Sequence, residues 1–239
     1  MRRGLSPRSR RAIFFLCAFL FGLMATFPLS LGVGWLGLEQ RGLAAREAEG
    51  TIWFGTLREA QMGAIDGGDV VARLRTLPLF LGRARLELAR PAAADRLDGA
   101  VIVSRHGFGV DDLTASLRLA APIGALPLAA IEPADFSLAF SEGACRSASG
   151  LVRASLSGGG SAGLPATLTG NARCERGALL LPLSSQSGME TLNLRITADG
   201  RYRAELIVRP SDAAVAERLR ASGFAPSGPG YALRFEGSF

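Results

Sequence analysis

The chain has 239 residues, a net charge of +6, 48% hydrophobic residues and 7% aromatics. All 27 basic residues are arginine, and His106 is the single histidine. That composition excludes a P-loop lysine, a Schiff-base lysine and a Ser–Lys dyad, and it leaves too few imidazoles for a His-rich metal site or most His-based relays.

The charge is concentrated at the start. Arg2, Arg3, Arg8, Arg10 and Arg11 carry it, and no acidic residue precedes Glu39. A nucleic-acid groove needs basic residues spread along one face with aromatic platforms. Nucleic acid is therefore not an expected partner, and residues 1–11 are expected to form a cytoplasmic basic tail.

Residues 12–38 contain no charged side chain. A bilayer core takes about 20 apolar residues at helical rise, so this stretch is expected to be one transmembrane helix. The flanking arginines put its N-terminus in the cytoplasm. Trp35 falls near the far interface. Pro28 is expected to kink the helix or end it early. The alternative is a cleaved signal peptide with Ser30-Leu31-Gly32 as the small-residue site; the length of the apolar run favours the anchor. Gly32, Gly34 and Gly37 spell G-x-G-x-x-G, but no strand precedes them, so a dinucleotide site fails its context. Cys17, in mid-segment, reads as a small apolar residue.

Residues 39–239 are expected to be an exported, all-β periplasmic domain. Period-two alternation, which marks half-buried strands, is clearest at 113–119, 192–198, 202–209 and 231–235. It is weaker at 51–57, 68–75, 83–89, 99–105, 134–140, 150–157, 165–171 and 177–183. Such a series suggests an antiparallel meander, a sandwich or an open groove. Asp66-Gly67-Gly68-Asp69 and Asp111-Asp112 read as turn residues, lacking the ligand number of a calcium loop. His106 is expected at a solvated strand end. The Pro- and Ala-rich stretch 121–133 is a possible sub-boundary.

Cys145 and Cys174 are the two cysteines beyond the apolar segment. In an oxidising compartment two cysteines of one domain pair, so a disulfide is expected. Gly159-Gly160-Ser161-Ala162-Gly163 matches G-x-S-x-G, yet its surroundings are loop and strand, and His106 precedes the serine; it reads as a loop. Asp199-Gly200 predicts a type I′ hairpin. Ser211 predicts a helix N-cap, Asp212 its first turn and Gly223 its end, with Val215 and Leu219 on one face. No catalytic, cofactor or metal residues are expected.

Several segments together resemble the type II secretion system protein N family (GspN). They are Gly50-Thr51-Ile52-Trp53-Phe54-Gly55, Leu77–Leu88, the Cys145/Cys174 pair, Tyr202–Leu206, Gly223-Phe224 and Tyr231–Gly237. Gly50, Thr51, Trp53 and Gly55 carry the most characteristic piece. The resemblance implies a non-enzymatic inner-membrane component of the general secretion pathway, without cofactors, whose partners are other secretion-platform proteins. The alternative is an anchored lipid-binding β-groove protein, for which an uncovered Leu/Val/Ile face would speak.

Overall fold

The computed structural model describes residues 13–19, 22, 23, 26, 28, 43, 44, 46–62, 65–90, 96–119, 128–156, 167–210 and 212–238. Their strands are β1 (Leu43–Ala44), β2 (Glu47–Thr51), β3 (Phe54–Met62), β4 (Ile65–Arg75), β5 (Arg83–Arg90), β6 (Leu97–Ser104), β7 (Gly107–Ala115), β8 (Leu117–Leu119) and β9 (Leu128–Ser141). There follow β10 (Ala144–Leu156), β11 (Thr167–Asn171), β12 (Arg173–Glu175), β13 (Ala178–Ser184), β14 (Glu190–Ile196), β15 (Arg201–Val208), β16 (Ala225–Ser227) and β17 (Gly230–Ser238). Helix α1 (Thr76–Phe80) joins β4 to β5, and α2 (Ala213–Ala221) joins β15 to β16.

The strands form one 17-stranded sheet. Each strand pairs antiparallel with a neighbour in sequence or nearly so. An open twisted sheet of this size curls or splits its core, and this one does both. The paired ends of β4 and β8 (Ile65 with Leu119, Asp66 with Arg118) meet beyond the β5–β6 hairpin. That closure folds the sheet over a small core of Val70, Leu97 and Ala115, with Leu88, Leu113 and Leu117 against it. The second, larger core runs from Leu128 and Phe140 to Val208 and closes under α2. Leu168, Leu192, Leu206 and Val208 are its most enclosed side chains.

β9 connects the two halves. It pairs with β7 and β8 on one side and with β10 on the other. Its Pro133 has no N–H to donate and lies in the interval between the β7 and β8 pairings, where a ladder bond is not called for. The stretch 121–133 thus lies partly outside the described residues, and 128–133 run within β9.

Three local expectations are corrected. The Asp199-Gly200 turn is not type I′: only Gly200 has positive φ (82°). Gly200 N–H donates to Thr197 O (3.0 Å) and Thr197 N–H to Arg201 O (3.0 Å), giving a three-residue loop that ends on a left-handed glycine. Asp199 prefers this form because its carboxylate accepts from Thr197 Oγ1 and from Arg201 N–H. Turns with two left-handed central residues stand instead at Glu142-Gly143 and Arg176-Gly177. The cap of α2 is Asp212, whose Oδ1 accepts from Val215 N–H at 2.8 Å, placing Asp212 ahead of the first turn. The strand expected over 51–57 is split by a turn at Ile52-Trp53.

Of the apolar segment 12–38, residues 13–19 and 22–23 are helical, and Ile13, Phe14, Phe15, Leu16, Phe19 and Leu23 are exposed. At Pro28 the chain makes an isolated antiparallel bridge with Thr51, so helix does not run through the proline. Among the described residues no helix is long and apolar enough to cross a membrane. Gly32, Gly34, Trp35 and Gly37 lie outside the described residues, as do the tail 1–11 and the loop around Ser161.

Candidate functional site

With Gly223-Phe224 set at the other end, after α2, several of the pieces that stood out in the sequence gather at one end of the sheet. β4 finishes there at Arg75, and β3 begins there at Phe54, paired with Arg73. α1, the β2–β3 turn, the β6–β7 turn (Arg105, His106) and the β9–β10 turn (Glu142, Gly143) all close on this side. His106 carbonyl accepts from Glu142 N–H at 2.9 Å, tying two of these turns together.

The Gly50–Gly55 segment builds the first turn. Gly50 faces Gly55 across the hairpin. Gly50 has φ of 88°, and a Cβ there would stand 2.6 Å from Phe54 O. Thr51 Oγ1 accepts from Phe54 N–H at 3.3 Å. Trp53 carbonyl accepts from Leu74 N–H at 3.2 Å and fixes the tip against β4. The Arg73 guanidinium lies 5.1 Å from the Phe54 ring centre. The glycines and threonine therefore shape a turn that presents Ile52, Trp53 and Phe54.

α1 follows directly from β4 and contains no buried residue. Leu77 is 79% exposed, Phe80 87% and Leu81 80%. Arg75 is held by Glu87 at 2.6 Å, but Arg83 and Arg105 have no acidic partner among the described residues. The Arg105 guanidinium sits beside Gly82, 3.7 Å from where a Cβ would be. Below α1, Val103 and Phe108 are cross-strand partners and about half exposed, and the Phe108 ring centre lies 5.2 Å from that of Phe140. Phe140 is paired with Cys145, and both are buried.

Cys145 and Cys174 form a disulfide, with Cα atoms 5.6 Å apart. It joins the start of β10 to β12, strands that do not pair with each other, and Cys145 N–H donates to Gly177 O at 2.8 Å. The bridge thus fixes the β9–β10 and β12–β13 turns at the same end.

Two further places gather polar side chains. An open cavity of about 500 Å³ lies at the ends of β14, β15 and β17, lined by Arg195, Thr197, Arg201, Tyr202, Arg203 and Glu236. Its cations are all engaged: Arg195 donates to Glu175 O (2.7 Å), Arg201 to Asp199 (2.5 Å) and Arg203 to Glu236 (2.6 Å). The hydrogen bond from Arg203 holds the Glu236 carboxyl below its ordinary range and raises the Arg203 guanidinium in return. Asp199 is lowered to about 2, first by the Thr197 hydroxyl and then by Arg201. In the β13–β14 turn, Ser187 Oγ donates to Glu190 Oε2 at 3.1 Å and Ser185 Oγ accepts from Glu190 N–H at 3.3 Å, which closes the turn.

The acidic clusters are placed apart. Asp111 pairs with Arg85 at 2.6 Å, while Asp112 N–H donates to Ser137 Oγ. Asp69 Oδ1 accepts from Glu59 N–H. Among the described residues no three His, Cys, Asp or Glu side chains are placed to hold a metal ion.

Sequence reasoning did not single out α1. Its signal was available in Leu77-Pro78-Leu79-Phe80-Leu81, five apolar residues that break strand alternation and end at a glycine.

These elements define an antiparallel all-β protein with a short helix near its C-terminus and one disulfide. Within that class the chain belongs to the family of type II secretion system (T2SS) protein N, which it matches over residues 41–234. The matched stretch runs from just before β1 into β17. Neither the curated proteins nor the solved structures yield a match.

Proposed function

We propose that this chain is a non-enzymatic inner-membrane component of the type II secretion apparatus, supporting export of folded periplasmic proteins across the outer membrane. The family match over residues 41–234 carries this reading. The anchor is the apolar helix within residues 12–38, ending before Pro28, residues 1–11 lie in the cytoplasm and residues 39–239 lie in the periplasm. Three observations support that topology. The basic tail precedes the apolar run. The helical side chains at 13–19 are exposed, as an anchor's would be. The disulfide suits an oxidising compartment.

The partners are other inner-membrane platform proteins. β2 pairs with β3 on one side and, on the other, makes only the single bridge to Pro28 among the described residues, so its edge offers backbone groups for strand addition. β16 is three residues long and contains Pro226, which blunts the other edge. Gly50, Thr51, Trp53 and Gly55 serve by fixing the turn that the anchor meets. The filled core under α2 supports a scaffold over a lipid groove. The half-exposed Val103 and Phe108 are the observation that favours the lipid reading.

Deleting the chain from its host tests the role. Folded type II substrates should accumulate in the periplasm, and a plasmid copy should restore their release. Unchanged release with intact growth would contradict it.

A further inference from the structure

We propose that the α1 end of the sheet lies on an anionic phospholipid surface, with Leu77, Phe80 and Leu81 at the headgroup–acyl boundary and Arg83 and Arg105 on the lipid phosphates. The inference rests on the anchored reading above and goes beyond it, because an anchor alone would let the domain stand anywhere within reach of its linker.

Four independent features converge. First, Leu77 and Phe80 on the five-residue helix and Leu81 at its C-cap are each about four-fifths exposed or more. Scattered exposed leucines need no explanation, but a clustered projecting tip does. Second, its nearest unpaired charges are cationic. Arg83 and Arg105 flank the tip, while the neighbouring acids Glu87 and Asp111 are neutralised by Arg75 and Arg85. Apolar side chains collared by arginine match an interfacial site on an anionic bilayer, where such elements sink roughly 5–10 Å. Third, Trp53 stands in the adjoining turn, and tryptophan favours the headgroup level. Fourth, the bridge between Pro28 and Thr51 brings the chain leaving the apolar helix to this same end.

β2 to β7 are successive neighbours in the sheet. Measured along the sheet their ends cover roughly 24 Å at ordinary strand spacing, and the curl that pairs β4 with β8 draws them closer. A second copy of the chain is a poor occupant, since the tip would meet its own arginines.

The test uses the full chain in vesicles of phosphatidylcholine with or without phosphatidylglycerol. In a Cys17→Ser background, Phe80→Cys is labelled with an environment-sensitive nitrobenzoxadiazole dye. Ser222→Cys, at the far end beside α2, is the matched control. The unmodified chain labelled at Cys17 reports whether the anchor is inserted. The expected result is a blue-shifted emission at position 80 that falls about twofold with a nitroxide carried near the lipid headgroup. Anionic lipid should strengthen the quenching, Arg83→Glu with Arg105→Glu should weaken it, and position 222 should read as water. Water-like emission at 80 with a quenched label at 17 overturns this inference alone. Water-like emission at both overturns the anchored reading with it. Quenching at 80 that is deep and indifferent to anionic lipid also overturns it, in favour of an acyl chain entering the curl beside Phe108.

Discussion

Gly50 and Gly55 meet across the β2–β3 hairpin because neither has a side chain to keep the strands apart. At Gly50 the requirement is double, a left-handed φ and a Cβ position 2.6 Å from a carbonyl oxygen. Gly50→Ala should therefore cost about 2 kcal/mol, within the range for strained backbone, measured as a lower denaturant midpoint with an unchanged slope. Ala48, on the same strand but paired conventionally with Leu57, provides the contrast. Threonine at 51 is explained by its bond to Phe54 N–H, and Trp53 by its position at the tip. The two glycines and the threonine thus specify the turn.

At the scale of elements, local chemistry accounts for much of what the sequence revealed. β14, β15 and β17 alternate clearly because one face meets the large core and the other meets solvent: Leu206 lies between Leu192 and Leu233, while Glu205 pairs with Arg234 at 2.6 Å. α2 was legible through its buried Val215 and Leu219 and through Gly223. Phe224 N–H donates to Leu219 O and Gly223 N–H to Arg220 O, the two bonds of a Schellman end. β7 was hidden. Glycine normally argues against a strand, but Gly107 and Gly109 lie so near β9 that a Cβ would stand 1.9 Å from Phe140 O and 2.3 Å from Leu138 O. α1 was hidden because exposed apolar runs read as core until the tertiary structure shows that nothing described covers them. The pairing of Cys145 with Cys174 closes a loop across 29 positions. Cys145→Ser should lower stability by about 3–4 kcal/mol on chain-entropy grounds. Reducing agent should lower the thermal midpoint of the parent and leave that of the variant unchanged.

For the whole molecule, the governing fact is a long antiparallel sheet with one small and one large core. Sheets of this extent cannot stay flat. Here the pairing of β4 with β8 and the packing of α2 settle where the curl closes. The antiparallel β architecture and the short C-terminal helix were legible in the sequence, but the division into two cores was not, since alternation reports that a strand has an apolar face without saying what that face meets. The same limit applies to the site: the hairpin motif and the cysteines were visible as residues, whereas their meeting at one end with α1 depends on register. The chain belongs to a secretion-system family, and the role proposed for it is to hold other proteins of that system in place. In-membrane crosslinking followed by affinity isolation at native expression, with proteins and lipids both identified by mass spectrometry, tests that role most directly. Recovery of other inner-membrane secretion-platform proteins with only bulk lipid is the predicted result. Stoichiometric enrichment of one lipid class without those proteins would contradict it.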